Sequence, residues 1–174
     1  APDAVILAFG DSLTYGTGAS RDQSYPAQLE RRLNLQVINA GIPGEVSAAG
    51  LTRLPTLLAS HRPALVIVCH GGNDFLRQND HDKVKENLRQ MVSLIRGSGS
   101  DVILVSVPRF GLLLSPAPLY AEVAEEFGIP LEEKTLSDIL ADTALKSDRI
   151  HPNTAGYGVM TEALARLIEQ SAGG

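Results

Sequence analysis

Val5-Ile6-Leu7-Ala8-Phe9-Gly10-Asp11-Ser12-Leu13-Thr14 joins a short apolar run to a polar turn. Val5 to Phe9 has the length and composition of a buried strand. Gly10 breaks it, and Asp11 and Ser12 are residues that leave strands easily. Ser12 is therefore expected where a first strand ends and the chain turns. In an open parallel sheet, ligands bind at that rim. A serine there is placed to be a nucleophile if the rest of the chain supplies a base and an oxyanion site.

The same apolar-run-then-turn grammar recurs outward from this stretch. Leu35 to Ala40 reads as a second strand, followed by Gly41, Pro43 and Gly44. Leu65 to Cys69 is the most strongly apolar strand and is expected at the centre, closed by Gly71-Gly72-Asn73-Asp74. Val102 to Val107 is a fourth strand, and residues 128–131 a short edge strand that tolerates Pro130. Helical patterns lie between them: Pro26 to Leu33, Ser47 (as a cap) to Leu58, Asp82 to about Arg96, and Pro118 to Phe127. Val159, Met160, Ala163, Leu164, Leu167 and Ile168 form the stripe of a last helix. Pro108 to Pro118 reads as a loop carrying Leu112, Leu113 and Leu114, and a less regular stretch leads to Asp148. This alternation predicts an α/β fold, a parallel sheet with helices on both faces and right-handed crossovers, as one domain over residues 1–174. Every strong polar motif follows a strand or precedes the last helix, so all converge on one rim.

Acyl transfer by serine needs a nucleophile, a base oriented by a third group, and donors facing the oxygen that becomes negative. Ser12 is the candidate nucleophile. His151 is the candidate base, and Asp148 stands three residues before it, so one short turn stiffened by Pro152 can present both. Gly44 offers a backbone N–H in a loop that permits close approach. Asn73 offers a side-chain amide, and the Ser12 N–H is a third donor. Each piece alone is a common turn residue; together they specify a site.

Composition narrows the alternatives. With 174 residues the chain buries a sizeable core, and no apolar run approaches membrane-spanning length, so no stable membrane insertion is expected. A net charge of -5 argues against nucleic acid as partner. A small-molecule ester or thioester is the expected partner, and oligomeric state is left open. The lone Cys69 rules out an intrachain disulfide and is compatible with either redox compartment. The start Ala1-Pro2-Asp3 suggests a processed, periplasmic or secreted end, with a cytoplasmic location as the alternative.

These motifs bring the chain to a known pattern. It resembles the SGNH hydrolases, also called GDSL esterases, and most closely their small bacterial thioesterase, arylesterase and lysophospholipase branch. Phe-Gly-Asp-Ser12-Leu-Thr matches the block that holds the nucleophile. Asn39-Ala-Gly-Ile-Pro-Gly44 and Gly-Gly-Asn73-Asp match the blocks that supply oxyanion donors. Asp148-Arg-Ile-His151-Pro matches the block with acid and base, and Gly50-Leu-Thr-Arg-Leu-Pro-Thr-Leu-Leu58 is also shared. The resemblance implies a three-layer α/β/α fold with a flavodoxin-like five-stranded parallel sheet. It also implies a shallow, accessible site that needs no cofactor. His70 departs from it, standing where an apolar residue is expected, and the segment after the fourth strand is shorter.

Other readings of these residues are blander. Asp11 is expected to bond neighbouring backbone and fix the loop. His61, His70 and His81 have no partner pattern and read as structural or surface residues. Cys69 lies in an apolar strand, where a thiol is buried and inert, and its neighbour His70 points to the opposite face. No cluster has metal-ligand spacing. A flavin- or phosphate-binding module is a rival from another class, because Thr14-Tyr-Gly-Thr-Gly18 follows the first strand. A carbohydrate deacetylase of the same family is the other rival.

Overall fold

The computed structural model describes residues 4–111 and 114–173. Strand β1 (Val5–Gly10) is buried on both faces from Ile6 onward, which is why it reads as an unbroken apolar run. A four-residue helix α1 (Ser12–Tyr15) follows at once, then α2 (Tyr25–Leu33) and β2 (Gln36–Gly41). Next come α3 (Ser47–His61), β3 (Leu65–Cys69), α4 (Gly72–Leu76), α5 (His81–Gly97) and β4 (Asp101–Val105). The chain closes with a two-residue antiparallel pair β5 (Pro108–Arg109) and β6 (Ser115–Pro116), then α6 (Pro118–Phe127), β7 (Leu131–Glu132), α7 (Thr135–Ala141) and α8 (Thr154–Ala172).

The main sheet has five strands in the order β2-β1-β3-β4-β7, all parallel, with the most apolar strand in the middle as its sequence requires. Helix α2 packs on α8, while α3, α5 and α6 pack in succession. This gives the expected three layers. The apolar stripe of α5, through Val84, Leu88, Met91, Val92 and Ile95, is wholly buried. Pro130 precedes the edge strand instead of lying within it. Its carbonyl accepts from Leu104 N–H at 3.0 Å, a role that needs no proline donor.

Three expectations are corrected. Ser47 does not cap α3: Val46 holds the cap position, and Ser47 is the buried first residue. Its N–H and Oγ donate to the Asp74 carboxylate at 2.8 and 3.0 Å, so the helix start is capped from across the fold. The Pro108 to Pro118 loop contains the β5–β6 pair. The irregular stretch before Asp148 contains α7, whose Leu136, Ile139 and Leu140 are buried at helical spacing.

Register sets the rim. Gly41, Gly10 and Cys69 are paired across three adjacent strands, so β2, β1 and β3 end level. The chain must fold tightly over this edge. A side chain on Gly10 would collide with the Cys69 carbonyl and the Thr14 hydroxyl, and one on Gly41 with the backbone of Tyr15. Both positions are therefore glycine for lack of room.

Candidate active site

Ser12 opens α1 just past the end of β1. Asp11 caps that helix, its carboxylate accepting from Leu13 N–H at 3.0 Å. The loop-fixing role expected of Asp11 is thus observed. Ser12 N–H lies in the first turn, where a helix leaves its donors free of intrahelical partners.

His151 and Asp148 arrive from the other end of the chain, on the turn before α8. Asp148 Oδ1 accepts from the N–H groups of Ile150 and His151, each at 2.9 Å, which closes the turn. Ser147 N–H donates to His151 O at 2.9 Å. Asn153 caps α8 through Gly156 N–H and donates to Ala144 O at 2.9 Å. The imidazole so fixed has Nδ1 2.8 Å from Asp148 Oδ2 and Nε2 3.0 Å from Ser12 Oγ. A carboxylate only accepts, so Nδ1 carries the proton and Nε2 accepts from the Ser12 hydroxyl. The His151 side chain is 13% exposed, and that of Asp148 is 53% exposed. Burial pushes the Asp148 carboxyl up, but the bonds from Ile150 N–H and the His151 ring outweigh it and hold the group below its ordinary value.

Asn73 sits in α4, four residues past the end of β3. Its Nδ2 donates to Asp11 Oδ2 at 3.3 Å and to Glu45 O at 3.0 Å. The amide is thus held between the residue before Ser12 and the residue after Gly44. Gly44 is exposed, has a left-handed φ of 79° and accepts at its carbonyl from Arg77 at 3.2 Å. Ser12, Asp148 and His151 are brought together directly, and Gly44 joins them through Glu45 and Asn73.

His70, read as structural or surface, is structural and has a partner that no sequence pattern announced. It is fully buried, with Nε2 2.9 Å from Glu45 Oε1, while Nδ1 has no partner. Arg53 pairs with the same carboxylate. Sequence reading missed Glu45 and Arg53. The available signal was His70 itself, because a polar ring at a buried strand end must find a partner. Burial raises the Glu45 carboxyl, but the bonds from His70 and Arg53 and the charge on Arg53 leave it below its ordinary value. A depressed carboxyl stabilises the fold above its unfolded value and loses that contribution as pH falls through the folded one. Glu45→Gln should therefore lower the urea midpoint at pH 7, and the gap from the parent should close on acidification below about pH 4.

The competing features turn inward. The Thr14 hydroxyl lies 3.1 Å from Tyr25 Oη in the core, and Tyr157 Oη donates to Thr17 O at 2.6 Å, so two polar groups of this loop are engaged by the protein itself. Cys69 is buried, and burial together with the charge of Asp11 pushes its thiol well up. Among the described residues no group of three or more His, Cys, Asp or Glu side chains is placed to hold a metal ion, and no helix is long and apolar enough to cross a membrane.

Comparison with known proteins identifies the family. Residues 8–159 match the GDSL-like Lipase/Acylhydrolase family. Esterase TesA of Pseudomonas aeruginosa is 36% identical over 175 residues, covering 94% of this chain and 84% of that protein. Thioesterase 1/protease 1/lysophospholipase L1 of Escherichia coli strain K12 is 30% identical over 172 residues, covering 94% of this chain and 83% of that protein. A solved structure of a protein named TesA superposes with a TM-score of 0.87 at 30% identity, over 95% of this chain and 98% of that one. The family match, the relatives and the shared fold agree, and the chain belongs to the GDSL-like lipase/acylhydrolase family.

Proposed function

We propose that the protein is a serine esterase that hydrolyses short to medium acyl esters, aryl esters included, through an acyl-enzyme on Ser12. The observation that carries this reading is the hydrogen-bonded line from Ser12 Oγ through His151 to Asp148, at 3.0 and 2.8 Å. Ser12 Oγ attacks the ester carbonyl carbon while His151 Nε2 takes its proton. Asp148 stabilises the imidazolium that forms. The carbonyl oxygen becomes negative and is met by the N–H groups of Ser12 and Gly44 and by the Asn73 amide, which exchanges its long 3.3 Å bond to Asp11 for the oxyanion and keeps the one to Glu45 O. His151 then gives its proton to the departing alcohol as the carbon–oxygen bond breaks. Water, deprotonated by the same imidazole, attacks the acyl-enzyme and releases the acid and Ser12.

Exposed apolar side chains close in sequence to the site residues favour an apolar acyl group. Tyr15, Ile42 and Leu76 are large apolar side chains that stand exposed. They lie three residues after Ser12, two before Gly44 and three after Asn73. The sequence leaves Leu112 to Leu114 two roles, walling the acyl site or packing onto a neighbouring helix; Leu112 and Leu113 lie outside the described residues, and Leu114 is half-buried. A cavity of about 550 Å³ lined by Ile6, Leu65, Val102, Ile129 and Ile168 lies at the opposite end of the strands, away from Ser12.

An open apolar rim gains about 0.8 kcal/mol per methylene covered, or about fourfold in kcat/KM, over the first few carbons only. On nitrophenyl esters of rising chain length, kcat/KM should climb and then decline, and Ile42→Ser with Leu76→Ser should flatten the climb. A maximum at long-chain esters, or an unchanged profile in the double variant, would contradict this preference. Acyl-CoA thioesters and lysophospholipids in the same panel separate the thioesterase and lysophospholipase activities named for the relatives.

A further inference from the structure

Glu45 directly follows Gly44, yet no step of the reaction above uses it. Its side chain turns beneath the rim and is only 6% exposed. Arg53 donates to it from Nε at 2.8 Å and from Nη2 at 2.8 Å. The His70 ring meets Oε1 at 2.9 Å from the other side. Gly50 on α3 makes room, since a side chain there would collide with the His70 ring and press on Glu45 Oε1.

This clamp is referenced to the sheet. Arg53 Nη2 also donates to Gly10 O at 3.2 Å and Ala40 O at 2.8 Å, at the ends of β1 and β2. Its guanidinium lies 4.6 Å over the Phe9 ring. His70 directly follows β3, and its carbonyl accepts from Tyr120 Oη at 2.6 Å.

The backbone of Glu45 faces the chemistry. Its N–H donates to Ile42 O at 3.2 Å, closing the turn that contains Gly44. Its carbonyl accepts from Asn73 Nδ2 at 3.0 Å. Gly44 has nothing within 4 Å of where a side chain would be, so packing does not hold that face of it in place.

We infer that Glu45 is a positioning residue for the oxyanion site, its side chain clamped by Arg53 and His70 and its backbone setting the Gly44 N–H and the Asn73 amide. The inference rests on the assignment of Gly44 and Asn73 as oxyanion donors. A buried carboxylate keeps its place because leaving either partner unpaired is expensive. Oxyanion donors act only when aimed at the oxygen of the transition state, and a displacement of about 1 Å costs on the order of 100-fold. Loss of the clamp therefore acts on kcat and leaves KM alone.

The test compares Glu45→Gln, Glu45→Ala and Arg53→Lys with Asn73→Ala on one nitrophenyl ester. Each rate is divided by the concentration of sites titrated with an organophosphonate. Lysine cannot serve both carboxylate oxygens and two carbonyls at once, so Arg53→Lys probes the clamp from its other end. Asn73→Ala should lower kcat on the order of 10²–10³-fold. Glu45→Ala should lower kcat per titrated site by about 10²-fold, and Glu45→Gln and Arg53→Lys by about tenfold, with KM within about twofold. The Glu45→Ala loss should shrink several-fold in an Asn73→Ala background, because the two share one target.

A purely structural role would lower the titratable fraction and the melting temperature, with kcat per site unchanged; that result in Glu45→Gln or Arg53→Lys overturns the inference. Multiplicative losses in the double variant overturn it as well. Full kcat in Asn73→Ala would instead remove the oxyanion assignment, and this inference with it.

Discussion

Ser12→Ala should lower kcat/KM on esters on the order of 10⁴–10⁶-fold while the urea midpoint stays close to that of the parent. The size of the loss follows from the chemistry, because no acyl-enzyme forms without Oγ. The small effect on stability follows from the contacts. Among the described residues the Ser12 hydroxyl bonds only the His151 ring, which is itself partly open to solvent. The helix start does not depend on it either, since Asp11 supplies the cap. Ester hydrolysis measured alongside urea unfolding checks both halves, and residual activity above the stated range would show a second route to hydrolysis.

His151→Ala should cause a loss of similar size, on the order of 10⁴–10⁶-fold in kcat. The serine hydroxyl is a weak nucleophile unless a base receives its proton, and Nε2 of His151 is placed 3.0 Å away to do so. Asp148→Asn should cost less, on the order of 10²–10⁴-fold, because the Asp148 side chain is half exposed and water shares in stabilising the imidazolium. The three residues work as a unit. The double variant Ser12→Ala with His151→Ala should therefore be little slower than either single variant. Kinetics on the purified variants provide the check, and losses that multiply in the double variant would show that the two residues act in separate steps.

Much of this was legible in the chain because it depends on local grammar. Apolar runs from Val5, Leu65 and Val102 mark strands buried on both faces, and the turn residues after them mark one rim. The spacing of Asp148 and His151 announces a turn that presents both, and Asp148 closes that turn with two backbone bonds. Ser47 misled because a serine before an apolar stripe is a good cap by local rules, whereas here Asp74 caps the helix from 27 residues away. Helix α7 was missed although Leu136, Ile139 and Leu140 carry its spacing, because seven residues give only two turns of signal. The Glu45, Arg53 and His70 clamp was the hardest to foresee. Its members come from the loop before α3, from α3 itself and from the end of β3, and no sequence interval relates them.

The central claim is that Ser12 carries the acyl group. Treating the protein with an organophosphonate ester and recording the intact mass, followed by peptide mapping, tests it without reference to any natural substrate. The account predicts one adduct per chain, on Ser12, forming in step with loss of esterase activity and absent from Ser12→Ala. An adduct on another residue that tracks the loss of activity, or full inactivation of the enzyme with Ser12 unmodified, would contradict it.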